Sequence, residues 1–158
     1  MAFTLSNRSL GKLEGVHPLL VAVVKTAVQN TGTDFGVIYG VRTLEEQQEL
    51  FDKGVSKTMK SNHLIQDNGY SHAVDLMAYV GSRPSWEVSL YDDLADAVKI
   101  AAKEHGAHVR WGGAWTVDDI RLWEGTMEEA MNSYIDLRRS QGRRPFFDGP
   151  HFELRSLA

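Results

Sequence analysis

The sequence predicts an α+β domain, and three observations carry that reading. Segments with the 3.6-residue apolar period of amphipathic helices are mixed with short apolar runs of strand length, without the regular alternation that βαβ units would give. The 158 residues are 42% hydrophobic and 24% charged, enough to bury one core without disulfide staples. No internal repeat, low-complexity tract or linker interrupts the chain, so residues 1–158 are read as a single domain.

The elements follow in order. His17-Pro18 opens a helix in which Leu19, Leu20, Val23, Val24, Ala27 and Val28 share an apolar face; Pro18 suits its first turn and Asn30-Thr31-Gly32 its stop. Phe35 to Gly40 is a short strand. Thr43-Leu44-Glu45-Glu46 is a capping box that starts a second helix running to about Lys53, which leaves Arg42 at the strand-to-helix junction. The chain from Gly54 to Ser71 is polar and turn-rich.

Ala73 to Val80, bounded by Gly81-Ser82-Arg83-Pro84, reads as a buried strand with Asp75 inside it. Leu90, Leu94, Ala97, Val98 and Ala101 predict a long amphipathic helix from about Trp86 to His105, closed by Gly106. His108 to Trp111 is a further short strand, broken by Gly112-Gly113. Residues 116–147 form an excursion with a helix from about Met127 to Arg139, and His151 to Leu154 is the final strand.

Composition narrows the chemistry. A formal charge of −4 gives no global drive toward nucleic acid or anionic lipid. Arg138, Arg139, Arg143 and Arg144 form a local basic cluster that reads as a solvated helix end and loop, with contact to an anionic surface or substrate as the alternative. The first eight residues lack the apolar core of a secretory signal, and no stretch is long and apolar enough to span a bilayer, so folding in the cytoplasm without membrane insertion is expected. Cysteine is absent, so any metal is held by imidazole and carboxylate.

Asp75 is the first anomaly, because a carboxylate among Ala73, Val74, Leu76 and Met77 must be paired or metal-bound. A structural ion pair is the plain alternative. His72 lies three residues earlier, which in a strand puts its side chain on the opposite face, whereas His63 comes off a loop and is free to approach Asp75. Geometry favours His63 and leaves His72 open. At the other end, Pro150 keeps the preceding residue out of helix, so a turn at Gly149-Pro150 leads His151 into its strand and can bring Asp148 back toward whatever His151 binds. Asp148 either starts that turn or serves as a base beside a metal-bound water. Two or three imidazoles, one carboxylate ligand and one spare carboxylate are the set a hydrolytic zinc site needs.

Four ordered motifs then carry a resemblance. Ser61-x-His63, His72-Ala73-Val74-Asp75-Leu76, Trp111-Gly112-Gly113-x-Trp115 and Asp148-Gly149-Pro150-His151-Phe152-Glu153-Leu154 resemble the VanY-type zinc peptidases, most closely the L-alanyl-D-glutamate peptidase endolysins of bacteriophages. The resemblance runs over nearly the whole chain, from Arg8-Ser9-Leu10 and Glu14-Gly15-Val16-His17-Pro18 through Val41-Arg42-Thr43-Leu44-Glu45-Glu46-Gln47 to the end.

It implies a small fold whose central, short-stranded and mainly antiparallel sheet carries the zinc between flanking helices. Transferred residue by residue, it implies His63, Asp75 and His151 as zinc ligands, Asp148 as catalytic base and Arg42 as the group that stabilises the developing oxyanion. Ser61 and Gln47 match positions lining the substrate site. Trp111 and Trp115 fall near the cleft, although aromatic core packing explains either as well.

The implied activity is hydrolysis of the L-Ala–D-Glu bond in the peptidoglycan stem peptide for host lysis, by a monomer that waits in the host cytoplasm until a holin opens the membrane. The alternatives are a D,D-carboxypeptidase or dipeptidase of the same fold, and a non-catalytic zinc or cell-wall-binding module.

Three departures from the family pattern stand out. Twelve positions separate His63 from Asp75 where the usual motif is His-x-x-Gly-x-Ala-x-Asp, which implies an insertion within Ile65 to Ser71. Ala114 stands where Asp or a related polar residue is usual. The excursion at 116–147 is longer than in the shortest relatives, and its Asp118, Asp119 and Glu124 either bind a regulatory cation or form a solvated surface.

Overall fold

The computed structural model describes residues 3–56 and 58–155. In chain order the elements are α1 (Asn7–Lys12), α2 (Pro18–Asn30), β1 (Asp34–Tyr39), α3 (Leu44–Asp52), β2 (Ala73–Val80), β3 (Arg83–Ser85), α4 (Val88–His105), β4 (Val109–Trp111), a 3-10 turn (Ile120–Leu122), α5 (Met127–Ser140) and β5 (His151–Leu154). The strands form one sheet in the order β1-β2-β5-β4, with β3 folded back on the end of β2, and every pairing is antiparallel. This is the expected α+β architecture.

β2 organises the sheet because its two faces differ. Val74, Leu76 and Ala78 point into the core, where α2 and α4 cover them together with Phe152 of β5. Asp75 therefore faces the other way. α2 contributes Leu20, Val23, Val24, Ala27 and Val28 to the core, and α4 contributes Tyr91, Leu94, Ala95, Val98, Ala101 and Ala102. The helix ends follow local chemistry. The His17 Nδ1 accepts the Leu19 N–H at 3.1 Å, reciprocal capping boxes open α3 at Thr43–Glu46 and α5 at Thr126–Glu129, and Gly106 closes α4 at φ 65°.

Two elements differ from the sequence reading. α1 has no apolar period long enough to register, and depends on Ser6 as N-cap and on buried Ser9, whose Oγ accepts the Val37 N–H at 3.0 Å. The segment read only as a turn after β2 forms the short strand β3, paired with β2 across Gly81 at φ 64°.

The excursion shares the main core rather than standing apart. Ile120, Met127 and Ala130 are fully buried in it. Two side chains of α4 dock it: Asp96 Oδ1 accepts the Met127 N–H at 2.8 Å, capping α5, and the nearly buried Lys99 donates to the carbonyls of Trp123 and Gly125. Asp119 is not a solvated acid, since it is 7% exposed, caps the 3-10 turn and pairs with Arg121 at 2.8 Å. Asp118 pairs with His108 and Arg155, Glu124 is exposed, and among the described residues the three acids form no metal-binding group.

Asp92 of α4 is 8% exposed and faces Glu128, Asp96 and Asp93; burial and those charges push its pKa up to about 6. A carboxyl with a raised folded pKa stabilises the fold below its unfolded pKa, and this contribution is lost as pH rises through about 6. Asp92→Asn is therefore expected to raise stability at pH 7.5 by on the order of 1 kcal/mol and to leave it nearly unchanged at pH 3.5. Thermal denaturation at the two pH values checks this; an equal shift at both would show that the charge is not the cause.

Candidate metal centre

The β2–β5 register places Asp75 directly opposite His151, and residues opposed in this way project from the same face. His151 Nδ1 lies 3.3 Å from Asp75 Oδ1. His63 arrives from the loop after α3, and its backbone is fixed on both sides: its N–H donates to Ser61 Oγ at 3.1 Å, and its carbonyl accepts the Arg42 N–H at 2.9 Å. His63 Nε2 is also 3.3 Å from Asp75 Oδ1. One ligand atom from each of the three residues lies within 4.8 Å of the others.

The outward nitrogens decide which ring atoms are free. His63 Nδ1 sits 2.8 Å from the Gly40 carbonyl, which can only accept, so Nδ1 carries the proton and Nε2 presents its lone pair to Asp75. His151 does the converse, donating from Nε2 to Glu153 Oε1 at 2.8 Å and leaving Nδ1 inward. Anchoring the rear N–H of an imidazole to a carbonyl and a carboxylate is how ligand histidines are oriented. His63 Nε2 and Asp75 Oδ1 are buried with no hydrogen-bond partner, an arrangement that costs free energy unless a cation occupies the gap. The donor set fits a metal ion.

The electrostatics agree. Burial alone would lift the Asp75 pKa, yet His151 and His63 hold it well below the ordinary carboxylate range. Burial alone would depress His151, yet the Asp75 and Glu153 carboxylates push it up to about 10. The field at this point strongly favours positive charge. Glu153 is itself held by Arg155 Nη1 at 3.2 Å, and Arg155 continues to Asp118 at 3.3 Å.

The tryptophan motif holds the turn that carries Asp148 and His151. Asp148 N–H donates to Gly112 O at 2.9 Å, Gly112 N–H to His151 O at 2.8 Å, and Trp111 Nε1 to Gly149 O at 2.7 Å. A Cβ at Gly112 would stand 2.2 Å from the Asp148 carbonyl oxygen, and one at Gly113 2.3 Å from the Trp111 ring. Only glycines allow this approach. Asp148 is half-buried; desolvation raises its pKa, Asp75 adds to the rise, and the charges of His151, His63 and Arg42 oppose it.

The remaining residues singled out from the sequence divide. Arg42 is half-buried, with Nη1 donating to Gln47 Oε1 at 2.9 Å. Gln47, expected to line the substrate site, is instead fully buried: its amide donates to Ser56 Oγ and the Thr58 carbonyl, so it offers no surface and positions Arg42. Ser61 is half-buried beside His63. Trp111 is pure core, whereas half-buried Trp115 lies with its ring 5.4 Å from the His151 imidazole. Ala114 is fully buried in the core, where a polar side chain would need a partner.

His72 stays outside the group, with Nε2 on the Asn68 side chain at 2.8 Å and its ring edge-on to His17. The extra residues between His63 and β2 close on themselves as a small hairpin. Ile65 bridges Ser71, Gln66 N–H donates to Tyr70 O at 2.9 Å, and His72 N–H returns to Asn62 O at 2.8 Å, so the added length leaves His63 and Asp75 in place. Sequence reasoning missed Gly40 and Glu153. Gly40 left no signal beyond being a glycine after a strand; Glu153 did, as an acid two residues from His151 on the same face of an otherwise apolar strand.

Comparison with known proteins agrees with the geometry. The sequence profile of the phage L-alanyl-D-glutamate peptidase family matches residues 1–155. The chain is 26% identical over 158 residues to the L-alanyl-D-glutamate peptidase of Escherichia phage T5, covering 98% of this chain and 99% of that one. The crystal structure of the Serratia marcescens L-Ala D-Glu endopeptidase ChiX superposes with a TM-score of 0.70 at 33% identity, over 98% of this chain and 90% of ChiX. A shared sequence profile, full-length similarity and a common fold leave one assignment: the chain belongs to the phage L-alanyl-D-glutamate peptidase family.

Proposed function

We propose that this protein is a zinc-dependent peptidoglycan endopeptidase that hydrolyses the L-Ala–D-Glu bond of the stem peptide, with His63, Asp75 and His151 as the metal ligands. The observation that carries this reading is the pair of rear-anchored imidazoles meeting one carboxylate whose inward oxygen has no other partner. Zinc in that donor set would supply a position open to water, bring the pKa of that water to about 7 and polarise a peptide carbonyl.

The protein's own groups do the rest. Asp148 takes the proton of the attacking water and passes it to the amine nitrogen as the C–N bond breaks. Its partial burial strengthens it as a base, and the Arg42 charge limits the rise. Arg42, held by Gln47, keeps its other N–H donors available for the oxygen that becomes negative; preorganised donors of this kind are worth about 3 to 4 kcal/mol. Ser61 and the open part of the Trp115 ring flank the ligands and serve as substrate contacts.

Membership in a phage peptidase family supports a monomeric lysis enzyme that acts on the bacterial wall after a holin opens the inner membrane. Among the described residues no helix is long and apolar enough to cross a membrane.

Mass spectrometry of digested peptidoglycan tests the assignment. The native protein is expected to create fragments with N-terminal D-glutamate, and Asp148→Asn to lower kcat by about 10²- to 10⁴-fold while retaining its bound metal. Release of free D-alanine would replace the bond assignment by D,D-cleavage, and undiminished cleavage after chelation would remove the metal mechanism. A second expectation concerns the ligand support: Glu153→Gln removes the charge behind His151 and should weaken zinc affinity by about 10- to 100-fold in competition with a chelating dye. An unchanged affinity would leave Glu153 without influence on the metal.

A further inference from the structure

Trp115, whose ring lies 5.4 Å from the His151 imidazole, also lines a cavity of about 330 Å³ whose wall carries four arginines, Arg110, Arg138, Arg143 and Arg144. None of the four is within ion-pair distance of a carboxylate among the described residues, although the chain as a whole is acidic. Four like charges around one cavity repel each other and attract an anion.

Two of the arginines, Arg110 and Arg138, are held in place by neighbouring groups, while Arg143 and Arg144 are exposed at the rim. The Arg110 guanidinium donates to the Trp115 carbonyl and lies 5.0 Å from the centre of the Trp115 ring. Arg138 stacks over Tyr134 at 5.6 Å. Tyr134 Oη in turn donates to the Phe146 carbonyl at 2.7 Å and accepts the Phe146 N–H at 3.0 Å, which fixes the chain between Arg144 and Asp148. Phe146 stacks on Trp115. Trp115 thus touches both the His151 imidazole and, through Arg110 and Phe146, the wall of the arginine cavity. Three residues of the basic cluster read from the sequence, Arg138, Arg143 and Arg144, line this pocket, and Arg139 does not.

We propose that this pocket binds the carboxylates of the stem peptide on the C-terminal side of the cleaved bond, an inference that rests on the function proposed above. In peptidoglycan the D-glutamate is joined onward through its γ-carboxyl, so its α-carboxylate is free, and the residues beyond it carry more. The N-terminal side of the bond offers no comparable charge. Guanidinium groups match carboxylates in geometry and pair with them bidentately. The His151 and Trp115 rings are 5.4 Å apart and the Arg110 guanidinium lies 5.0 Å from the Trp115 ring. Up to about three extended residues at about 3.3 Å each would span that path, so the carboxylates beyond the D-glutamate are the ones that reach the arginines.

The test uses the zinc-loaded protein, the variant Arg143→Gln/Arg144→Gln, and two synthetic peptides, L-Ala-γ-D-Glu-diaminopimelate-D-Ala with free carboxylates and its amidated counterpart. The native protein should favour the free peptide by about tenfold in KM, and in the variant that preference should fall toward unity with kcat little affected. Calorimetric binding of the product γ-D-Glu-diaminopimelate-D-Ala should show the same loss, and this reading does not depend on cleavage. Arginine-dependent binding without any cleavage would uphold the pocket and overturn the function; cleavage with equal preference for both peptides would overturn the pocket and leave the function. Loss of binding to vesicles of equimolar phosphatidylglycerol and phosphatidylcholine, with the peptide preference intact, would also overturn the proposal, assigning the arginines to a lipid surface.

Discussion

The antiparallel register of β2 on β5 is the constraint on which the rest of the molecule depends. A shift by one residue would turn Asp75 into the core and Val74 out of it, and would separate Asp75 from His151. The same register buries Val74 against Phe152, so the apolar core and the charged site are two faces of one pairing. Packing α2 and α4 on one face therefore holds Asp75 and His151 together on the other. A site built this way inherits the rigidity of the sheet.

The glycine and tryptophan residues that close the site have the same logic at shorter range. Trp111 is buried in the core, and its single polar atom reaches the Gly149 carbonyl; Gly112 gives up its side chain so that the Asp148 turn can lie against it. Core packing and the placement of Asp148 meet in one indole. Across the site, Gln47 links the buried side of α3 to Arg42 in the same manner, so that neither Asp148 nor Arg42 depends on solvent-exposed contacts for its position.

Much of this was legible in the sequence because it rests on local rules. Strand alternation put His72 on the wrong face for Asp75, and the capping box at Thr43 placed α3 behind Arg42. What escaped was non-local. The burial of Gln47 depends on Ser56 and Thr58, which fold over it from the following loop, and nothing in the spacing of α3 reveals that. The Gly40 carbonyl became an imidazole partner only because the loop bearing His63 crosses the end of β1. The arginine cavity joins Arg110 of β4 to the end of α5, residues that only the tertiary fold brings together. α1 escaped for a different reason: one turn and a half of polar residues, stabilised by caps, has no period to read.

The hairpin at residues 65–71 separates two things that usually vary together. Its neck is sealed by Asn62 and His72 and its strands bond to each other, so its tip carries no duty toward His63 or Asp75. Chain length there is mechanically uncoupled from the spacing of His63 and Asp75. The tip is thus a grafting point, where added chain would leave the frame of His63, Asp75 and His151 as it is.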